Sequence, residues 1–258
     1  MSLSQYWRLV HEMARMSLKA DAAKFYLSYL WWVLEPLLYV AVFYVVFDVL
    51  LGSKRADFLV FLMCGKLTFI WFSKSVVHSS RSIVASKGLI GKIDLPKSLF
   101  PLAMVQECFY KQIAVFALLL IFLMGNGYTA NSSWFWLIPL ILVNYLMIVA
   151  ASFIAAFVVC IVFDLAVVIS LSMMFLLFTS GIFWDVRSLP DQEMVDLVLL
   201  LNPVSFIVDG YRQILIEGTA PDLIHLLMIG VAATLVILAM VFLFRIFSRF
   251  LALKAITS

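Results

Sequence analysis

Charged residues are scarce in this sequence, and their scarcity excludes a soluble domain of ordinary composition. Only 13% of the 258 residues are charged, whereas about 25% is usual in soluble domains. Apolar residues make up 65% of the chain, and the mean hydropathy is +1.11. A soluble core of this size could not hide so much apolar surface, but a lipid bilayer covers it without a polar coat. The composition therefore indicates an integral membrane protein.

Patterns that mark enzymes and metal centres are also missing. The three cysteines stand singly and far apart, with neither zinc-ligand spacing nor a disulfide framework. The Gly65-Lys66 and Gly91-Lys92 pairs lack the upstream glycine and the following Ser or Thr of a phosphate-binding loop. No H-E-x-x-H or G-x-S-x-G motif occurs. We therefore expect no catalytic residue, no metal site and no cofactor in this chain, and no nucleic-acid partner.

Long apolar runs, rather than short alternating segments, fill most of the chain. A helix needs about 20 apolar residues to cross a bilayer, whereas the strands of a membrane barrel would alternate. The runs predict six membrane-spanning helices, at residues 27–51, 57–81, 99–124, 134–160, 165–181 and 221–247. The predicted fold is all-α and integral to the membrane, with a single transmembrane domain over residues 1–258 and no separate soluble domain.

Residues 1–25 predict an amphipathic helix that lies in the membrane interface. Its apolar residues recur at helical spacing on one side, and charged residues occupy the other. The apolar side comprises Leu3, Tyr6, Trp7, Val10, Met13 and Ala14. A solvated helix packed on a partner is the alternative. The segment is not expected to be a signal peptide, because no short apolar run ends at a small-residue cleavage site.

The distribution of positive charges predicts the orientation in the membrane. Eleven cations fall on one side of the six spans, namely Arg8, Arg15, Lys19, Lys24, Arg81, Lys87, Lys92, Lys97, Arg245, Arg249 and Lys254. Only four fall on the other side, namely Lys54, Arg55, Arg187 and Arg212. Because cations concentrate in cytoplasmic loops, both termini are predicted to be cytoplasmic in a multi-pass protein of the cytoplasmic (inner) membrane.

Two connecting segments stand out between the predicted spans. Residues 82–98 form a basic loop on the cytoplasmic side. Residues 182–220, between the fifth and sixth spans, predict a short re-entrant helical hairpin on the outer side. We expect Ser188 to cap its first helix, and Asn202-Pro203 to separate the two helices. Exposed apolar residues in the hairpin favour a path that dips into the outer leaflet.

Six short segments, in this order and spacing, carry a resemblance to one family of membrane proteins. They are residues 30–38 (LWWVLEPLL), 61–65 (FLMCG), 71–73 (WFS), 89–97 (LIGKIDLPK), 201–203 (LNP) and 210–212 (GYR). Together they resemble the permeases of type 2 ABC exporters, in the group that includes O-antigen, capsule and teichoic-acid exporters. The resemblance extends over nearly the whole chain.

The resemblance implies a transport subunit without its own motor, and so not an enzyme. It implies a homodimer that exports a lipid-linked polysaccharide, driven by two separate nucleotide-binding ATPase subunits that hold ATP and Mg²⁺. The expected partners are a second copy, those ATPases, a polyprenyl-diphosphate-linked glycan and membrane lipids. The loop 82–98 then becomes the coupling element. Its candidate ATPase contacts are Lys87, Gly88, Leu89, Ile90, Lys92, Ile93, Leu95 and Pro96.

Lys66, Lys74 and Arg81 share one face of the second span, at spacings of eight and seven residues. Charge inside a membrane is costly and usually faces protein or water. Our hypothesis is that this face meets the diphosphate of the lipid-linked glycan. The alternative is that Lys74 and Arg81 extend to the cytoplasmic interface while Lys66 pairs with an acid. Trp32 is a further candidate for the substrate path, although membrane aromatics also occur at interfaces without any ligand.

Other functions stay open at this point. A permease for a drug or a simple lipid is the nearest alternative. A membrane enzyme acting on polyprenyl lipids would need clustered acids to bind a divalent metal, and the sequence shows no such cluster. A secondary transporter would show broken helices in symmetric halves. Glu107 and Lys111, four residues apart on the third span, predict an intrahelical salt bridge rather than a substrate contact.

Overall fold

The computed structural model of the chain describes residues 2–23, 26, 28–50, 52 and 57–257. Helices account for 84% of the structure, and no strand occurs among the residues described. The prediction of an all-α chain is therefore confirmed. The predicted cytoplasmic cation Lys24 and the predicted outer cations Lys54 and Arg55 lie outside the described residues.

The helices follow one another with short connections. They are α1 (Leu3–Ala22), α2 (Trp31–Tyr44), α3 (Phe58–Ser80), α4 (Ser82–Ala85), α5 (Lys87–Ile90), α6 (Leu99–Gly125), α7 (Leu137–Ile161), α8 (Leu165–Thr179), α9 (Gln192–Leu201), α10 (Pro203–Arg212), α11 (Leu223–Ile246) and α12 (Ser248–Thr257). Short 3-10 turns precede α2, α7 and α9, at Ser28–Leu30, Ser132–Trp136 and Val186–Ser188. π-Helical turns extend α2 and α10, at Val45–Leu50 and Gln213–Glu217.

Four of the described helices are long and apolar enough to cross a bilayer. They are α3, α6, α7 with its preceding turn, and α11. The first and fifth predicted spans correspond to shorter apolar helices, Trp31–Phe47 and Leu165–Thr179. The helices Gln192–Leu201 and Pro203–Glu217 meet at an angle of 111°. The structure therefore supports a multi-pass membrane protein, whereas the count of six spans and the re-entrant path of the hairpin stay predictions.

Helix α3 lies at the centre of the fold. It packs against α2, α6, α7, α8 and α10, and 78% of its most apolar stretch is buried. Close packing against α10 depends on Gly65, since a Cβ there would come 2.5 Å from Arg212 Nη2. Because α3 is enclosed on several sides, Lys66 is held inside the fold rather than at its surface.

Helix α1 packs along α6 and buries Val10 and Ala14 completely. Leu3 and Trp7, on the same predicted face, are exposed. A hydrogen bond of 3.1 Å joins the hydroxyls of Tyr6 and Ser98. Burial raises the pKa of Tyr6, an effect that the Ser98 hydrogen bond partly offsets. The place of α1 in the membrane interface stays a prediction.

The cap predicted for the first hairpin helix is wrong. Helix α9 begins at Gln192, and its N-cap is Asp191, whose carboxylate accepts from the backbone N–H of Glu193. The Ser188 hydroxyl instead donates to the Asp185 carbonyl at 2.7 Å, within a 3-10 turn. The predicted break holds, since Asn202 ends α9 and its side chain caps α10.

Candidate functional site

Lys66 lies deep in the fold without a carboxylate partner. Its side chain is 5% exposed. Its Nζ lies 4.6 Å from the centre of the Phe43 ring, 5.7 Å from that of Tyr39 and 6.0 Å from that of Phe69. No acidic side chain in the described part of the chain forms an ion pair with it. Aromatic faces stabilise a nearby cation, and aromatic rings surround the Lys66 amino group in place of a carboxylate. The alternative in which Lys66 pairs with an acid is therefore not what the structure shows.

Lys74 and Arg81, the other two cations of the face, have different environments. Lys74 Nζ lies 2.6 Å from Glu35 Oε2, and both side chains are partly exposed. Arg81 ends α3, is exposed, and its guanidinium lies 5.9 Å from the centre of the Phe163 ring. Lys66 and Lys74 lie within α3, and Arg81 lies at its C-terminal end. Of the three, only Lys66 is deeply buried and has no acidic partner among the described residues.

A cavity of about 300 Å³, called here the lysine cavity, opens beside Lys66 between α2, α3 and α8. Its polar lining comprises Tyr39, Lys66, Ser73, Lys74 and Ser170. The rest of its wall is apolar, with methionines from α8. Since Lys74 is neutralised by Glu35, the positive charge offered to an occupant of this cavity comes from Lys66.

A second cavity of about 480 Å³, called here the tryptophan cavity, adjoins the first, since Ile70, Ser73, Lys74 and Val77 line both. Its lining side chains come from α1, α2, α3 and α6. Among them are Asp21, Trp31, Trp32, Glu35, Trp71, Lys74, His78, Lys111 and Gln112. The candidate Trp32 therefore lies in this second cavity, apart from Lys66.

The predicted Glu107–Lys111 salt bridge is confirmed at 2.7 Å. Lys111 also binds Asp21 of α1 at 2.7 Å, which the sequence pattern did not indicate. Its Nζ lies 5.5 Å from the centre of the Trp32 ring. Lys111 thus connects three helices. It lies on α6, its partner Asp21 lies on α1, and the nearby Trp32 ring lies on α2.

Replacing Lys111 with methionine should destabilise the chain by about 3–5 kcal/mol, because it leaves the carboxylate of Glu107, which is 2% exposed, without its cation. The matched control is Lys74→Met, which breaks a partly exposed pair and should cost about 1 kcal/mol or less. Thermal unfolding of the two purified variants in detergent measures the difference. Equal shifts in the unfolding midpoint would contradict the assigned burial of Glu107.

A polar cluster fixes the hairpin of α9 and α10 to the centre of the fold. Arg212, 4% exposed, donates hydrogen bonds to the carbonyls of Phe61, Gly181 and Ile182. Its guanidinium carbon lies 3.3 Å from the centre of the Phe61 ring. The charge count placed Arg212 among the cations of the outer side, and the structure makes it an internal tie between α10, α3 and the segment after α8.

A second arginine stabilises the same hairpin from its surface. Arg187 forms a two-pronged pair with Asp209 at 2.8–3.1 Å, and Gln213 donates to the same carboxylate at 2.6 Å. The hydrogen bonds that Arg187 donates to the Asp209 carboxylate raise the pKa of Arg187 despite its partial burial. Arg187 therefore stays charged across the physiological pH range.

The predicted coupling loop folds into two short helices, α4 and α5. Six of its eight candidate contacts are exposed, namely Lys87, Gly88, Leu89, Lys92, Ile93 and Pro96. Leu95 is partly buried. Ile90 is buried in the core, and α12 packs on α5. The exposed part of the loop therefore presents two cations and two large aliphatic side chains to a partner.

Several residues of the two cavities were not identified from sequence. They are Asp21, Tyr39, Trp71 and Gln112. Phe43, whose ring lies beside Lys66, was not identified either. Tyr39 and Phe43 lie four residues apart on α2, a spacing that could have indicated one aromatic face. Contacts among α1, α3 and α6 bring the others together, and a single sequence carries no signal for those contacts. Among the described residues, no group of three His, Cys, Asp or Glu side chains could hold a metal ion.

Comparison with known proteins gives a consistent picture. No protein-family model matches the chain. The chain is 27% identical over 194 residues to the O-antigen export system permease protein RfbA of Klebsiella pneumoniae, an alignment covering 75% of the chain and 74% of the relative. It is 25% identical over 222 residues to the protein of the same name from Myxococcus xanthus, covering 85% of both.

A further RfbA protein of Klebsiella pneumoniae is 24% identical over 192 residues, covering 74% of the chain and 73% of the relative. All three relatives share one name, and each alignment covers more than two-thirds of both chains. The apolar helices of the structure suit a protein that crosses a membrane. These similarities confirm the resemblance, indicated by the sequence motifs, to the permeases of type 2 ABC exporters in the group that serves O-antigen export.

Proposed function

We propose that this chain is the membrane subunit of an ABC exporter that carries a lipid-linked polysaccharide across the cytoplasmic membrane. The observation that carries the proposal is the similarity to three O-antigen export permeases over most of the chain. The buried, unneutralised Lys66 beside a cavity supports an anionic group on the substrate. A polyprenyl diphosphate supplies such a group, and a neutral drug does not. A membrane enzyme is not favoured, because the relatives are named as permeases.

The proposed topology has six spans with both termini in the cytoplasm. The shorter helices Trp31–Phe47 and Leu165–Thr179 supply the first and fifth spans, supported by their apolar composition. Their lengths of 17 and 15 residues suit a locally thinned bilayer or a protein-lined path. The pair of helices that meet at 111° forms the outer re-entrant hairpin. The charge distribution supports this orientation.

We further propose that two copies of the chain form the export channel. Helix α8 supports this proposal, because it borders the lysine cavity and leaves large apolar side chains exposed. They include Val167, Val168, Leu171, Met174, Phe175 and Phe178. In a dimer these side chains would be covered, and the substrate path would be enclosed by protein rather than open to the bilayer.

The coupling loop is the proposed docking element for two separate ATPase subunits, which would bind ATP and Mg²⁺. Support comes from the exposure of Leu89 and Ile93, flanked by Lys87 and Lys92. Aliphatic anchors within a ring of polar contacts are typical of protein interfaces.

Changing both Leu89 and Ile93 to aspartate should abolish copurification of the ATPase, because the anchors of the interface are replaced by charges. The unfolding midpoint should stay within about 2 °C of the parent protein, since exposed substitutions cost little. Ile90→Asp should instead unfold the chain, because Ile90 is buried. Leu253→Asp, at an exposed position on α12, is the control for added charge. Retained binding by the double variant would refute the assignment of the loop.

The proposed function is tested in cells that synthesise the glycan. Loss of this chain should remove the polysaccharide from the cell surface and leave the lipid-linked form on the cytoplasmic leaflet. Expression of the intact chain should restore export. An unchanged surface polysaccharide after loss of the chain, with no accumulated lipid-linked glycan, would refute the function.

A further inference from the structure

A third cavity, of about 860 Å³, lies where α1 begins and α11 ends, and we call it the α1–α11 cavity. Its lining comes from the first residues of α1, the end of the coupling loop, α6, α7, α11 and the first residue of α12. It shares no lining residue with the lysine cavity or the tryptophan cavity. The site that it forms is therefore separate from the proposed path of the glycan.

The wall that α6, α7 and α11 contribute to this cavity is largely apolar. It includes Leu102, Leu146, Val149, Ile237 and Val241. All three helices are long and apolar enough to cross a bilayer. Leu146, Ile237 and Val241 are only half-buried, so apolar surface stays accessible inside the cavity. An acyl chain that covers this surface is stabilised by the hydrophobic effect.

The charged side chains of the cavity leave one positive charge without a counter-charge. Among the described residues, its charged lining consists of Asp94, Lys97 and Arg245. Lys97 is buried, donates to the Leu95 carbonyl and lies 3.6 Å from the Asp94 carboxylate. Arg245 is exposed in the last turn of α11 and forms no ion pair or hydrogen bond with any residue that the structure describes. Because Asp94 and Lys97 offset each other, the unbalanced charge is that of Arg245.

Two exposed side chains of α1 complete the lining of the cavity. Leu3 is 76% exposed and Trp7 is 48% exposed. Tryptophan and arginine at the end of apolar spans are typical of the level of phospholipid head groups. The cavity thus combines accessible apolar surface with a cation that has no partner. Basic pockets between membrane helices bind anionic head groups.

We propose that the α1–α11 cavity binds one anionic phospholipid of the bilayer, with its phosphate at Arg245 and one acyl chain along the apolar wall. An anionic head group is favoured over a zwitterionic one, because a second positive charge on the lipid would be repelled by Arg245 and Lys97. An uncharged protein segment would leave Arg245 without a counter-ion. In the proposed topology this end of the spans faces the cytoplasm, so the lipid belongs to the cytoplasmic leaflet.

The test counts lipids that stay bound to the full chain in native mass spectrometry. Purified protein in detergent is mixed with equal amounts of phosphatidylglycerol and phosphatidylcholine that carry identical acyl chains. The parent protein should retain one phosphatidylglycerol in preference to phosphatidylcholine. Arg245→Gln should weaken phosphatidylglycerol binding by about five-fold, which removes most of the preference. Folding should survive, since Arg245 is exposed.

Matched controls separate this site from general attraction to a basic surface. Arg249→Gln removes an exposed cation of α12 that does not line the cavity, and it should keep the lipid preference of the parent protein. Ile237→Trp narrows the cavity and should reduce lipid retention while Arg245 is still present. Leu238→Trp, at an exposed position outside the cavity, should leave retention unchanged.

Each contrary outcome overturns the proposal. Equal losses in Arg245→Gln and Arg249→Gln would show a general attraction to cations, and equal retention of the two lipids by the parent protein would exclude selection of an anion. Unchanged retention by Ile237→Trp would exclude an acyl chain in the cavity. A shift from dimer to monomer in the cavity variants, with lipid binding intact, would assign the cavity to contact between two copies. None of these outcomes alters the proposed function, because the cavity is separate from the glycan path.

Discussion

Replacing Lys66 with methionine should shift the stimulation of ATP hydrolysis by lipid-linked glycan in the assembled exporter to much higher lipid concentrations. Methionine keeps most of the volume and apolar length of lysine but removes its charge. Among the described residues that line the lysine cavity, Lys66 is the only cation that is not paired with a carboxylate. A hydrogen-bonded charge contributes about 1.5–3 kcal/mol, so apparent affinity for the lipid should fall roughly ten- to hundred-fold. ATP turnover of the complex in nanodiscs, measured against lipid concentration, gives this value.

The controls for this prediction separate charge from shape. Lys66→Arg should retain part of the stimulation, because the charge remains although the larger head fits the aromatic faces differently. Arg249→Met removes an exposed cation on α12 and should behave like the parent protein. Folding should survive Lys66→Met, since no carboxylate loses its partner. Full stimulation of Lys66→Met at the lipid concentrations that suffice for the parent protein would refute the role of Lys66.

Replacing Arg212 with methionine should cause the largest loss of stability among single substitutions in the outer hairpin. The change leaves the carbonyls of Phe61, Gly181 and Ile182 without this donor inside the fold. Gly181 and Ile182 lie outside the helices, and each buried carbonyl left unpaired there costs about 1–3 kcal/mol, so a total of about 3 kcal/mol is expected. The unfolding midpoint of a chain of this size should then fall by about 6–12 °C.

Arg212→Lys should not restore the stability, because an ammonium cannot reproduce the planar fork that reaches several carbonyls at once. Gly65→Leu should give a comparable loss by a different route, since any side chain at position 65 collides with the Arg212 guanidinium. Arg249→Met again serves as the control for loss of a cation. A normal unfolding midpoint for Arg212→Met would show that the hairpin is held by other contacts.

Much of the fold follows from the sequence for a simple reason. Apolar runs of about 20 residues leave the backbone no alternative to helix inside a bilayer, and this predicts α3, α6, α7 and α11 closely. The Asn202-Pro203 break was also predictable, because the asparagine side chain caps a helix and proline starts one. The Ser188 cap was wrong because Asp191, nearer to the first free N–H groups, provides a better acceptor.

The site was less accessible to prediction, because its character depends on contacts between helices. Spacing alone placed Lys66, Lys74 and Arg81 on one face, but it could not tell that Glu35 neutralises Lys74. Local pairing was predictable for Glu107 with Lys111, four residues apart, whereas Asp21 joins them from 90 residues away. The internal position of Arg212 was not predictable because its carbonyl partners are backbone groups, which every sequence contains and no pattern reveals.

The central claim is that this chain couples a partner ATPase to a lipid-linked glycan. The most direct measurement is ATP turnover by the chain copurified with its candidate ATPase in nanodiscs, with and without polyprenyl-diphosphate-linked glycan. We predict a stable complex of two permeases and two ATPases whose turnover rises several-fold with the glycan lipid and not with ordinary phospholipid. A chain that purifies without the ATPase, or a complex whose turnover is indifferent to the glycan lipid, would contradict it.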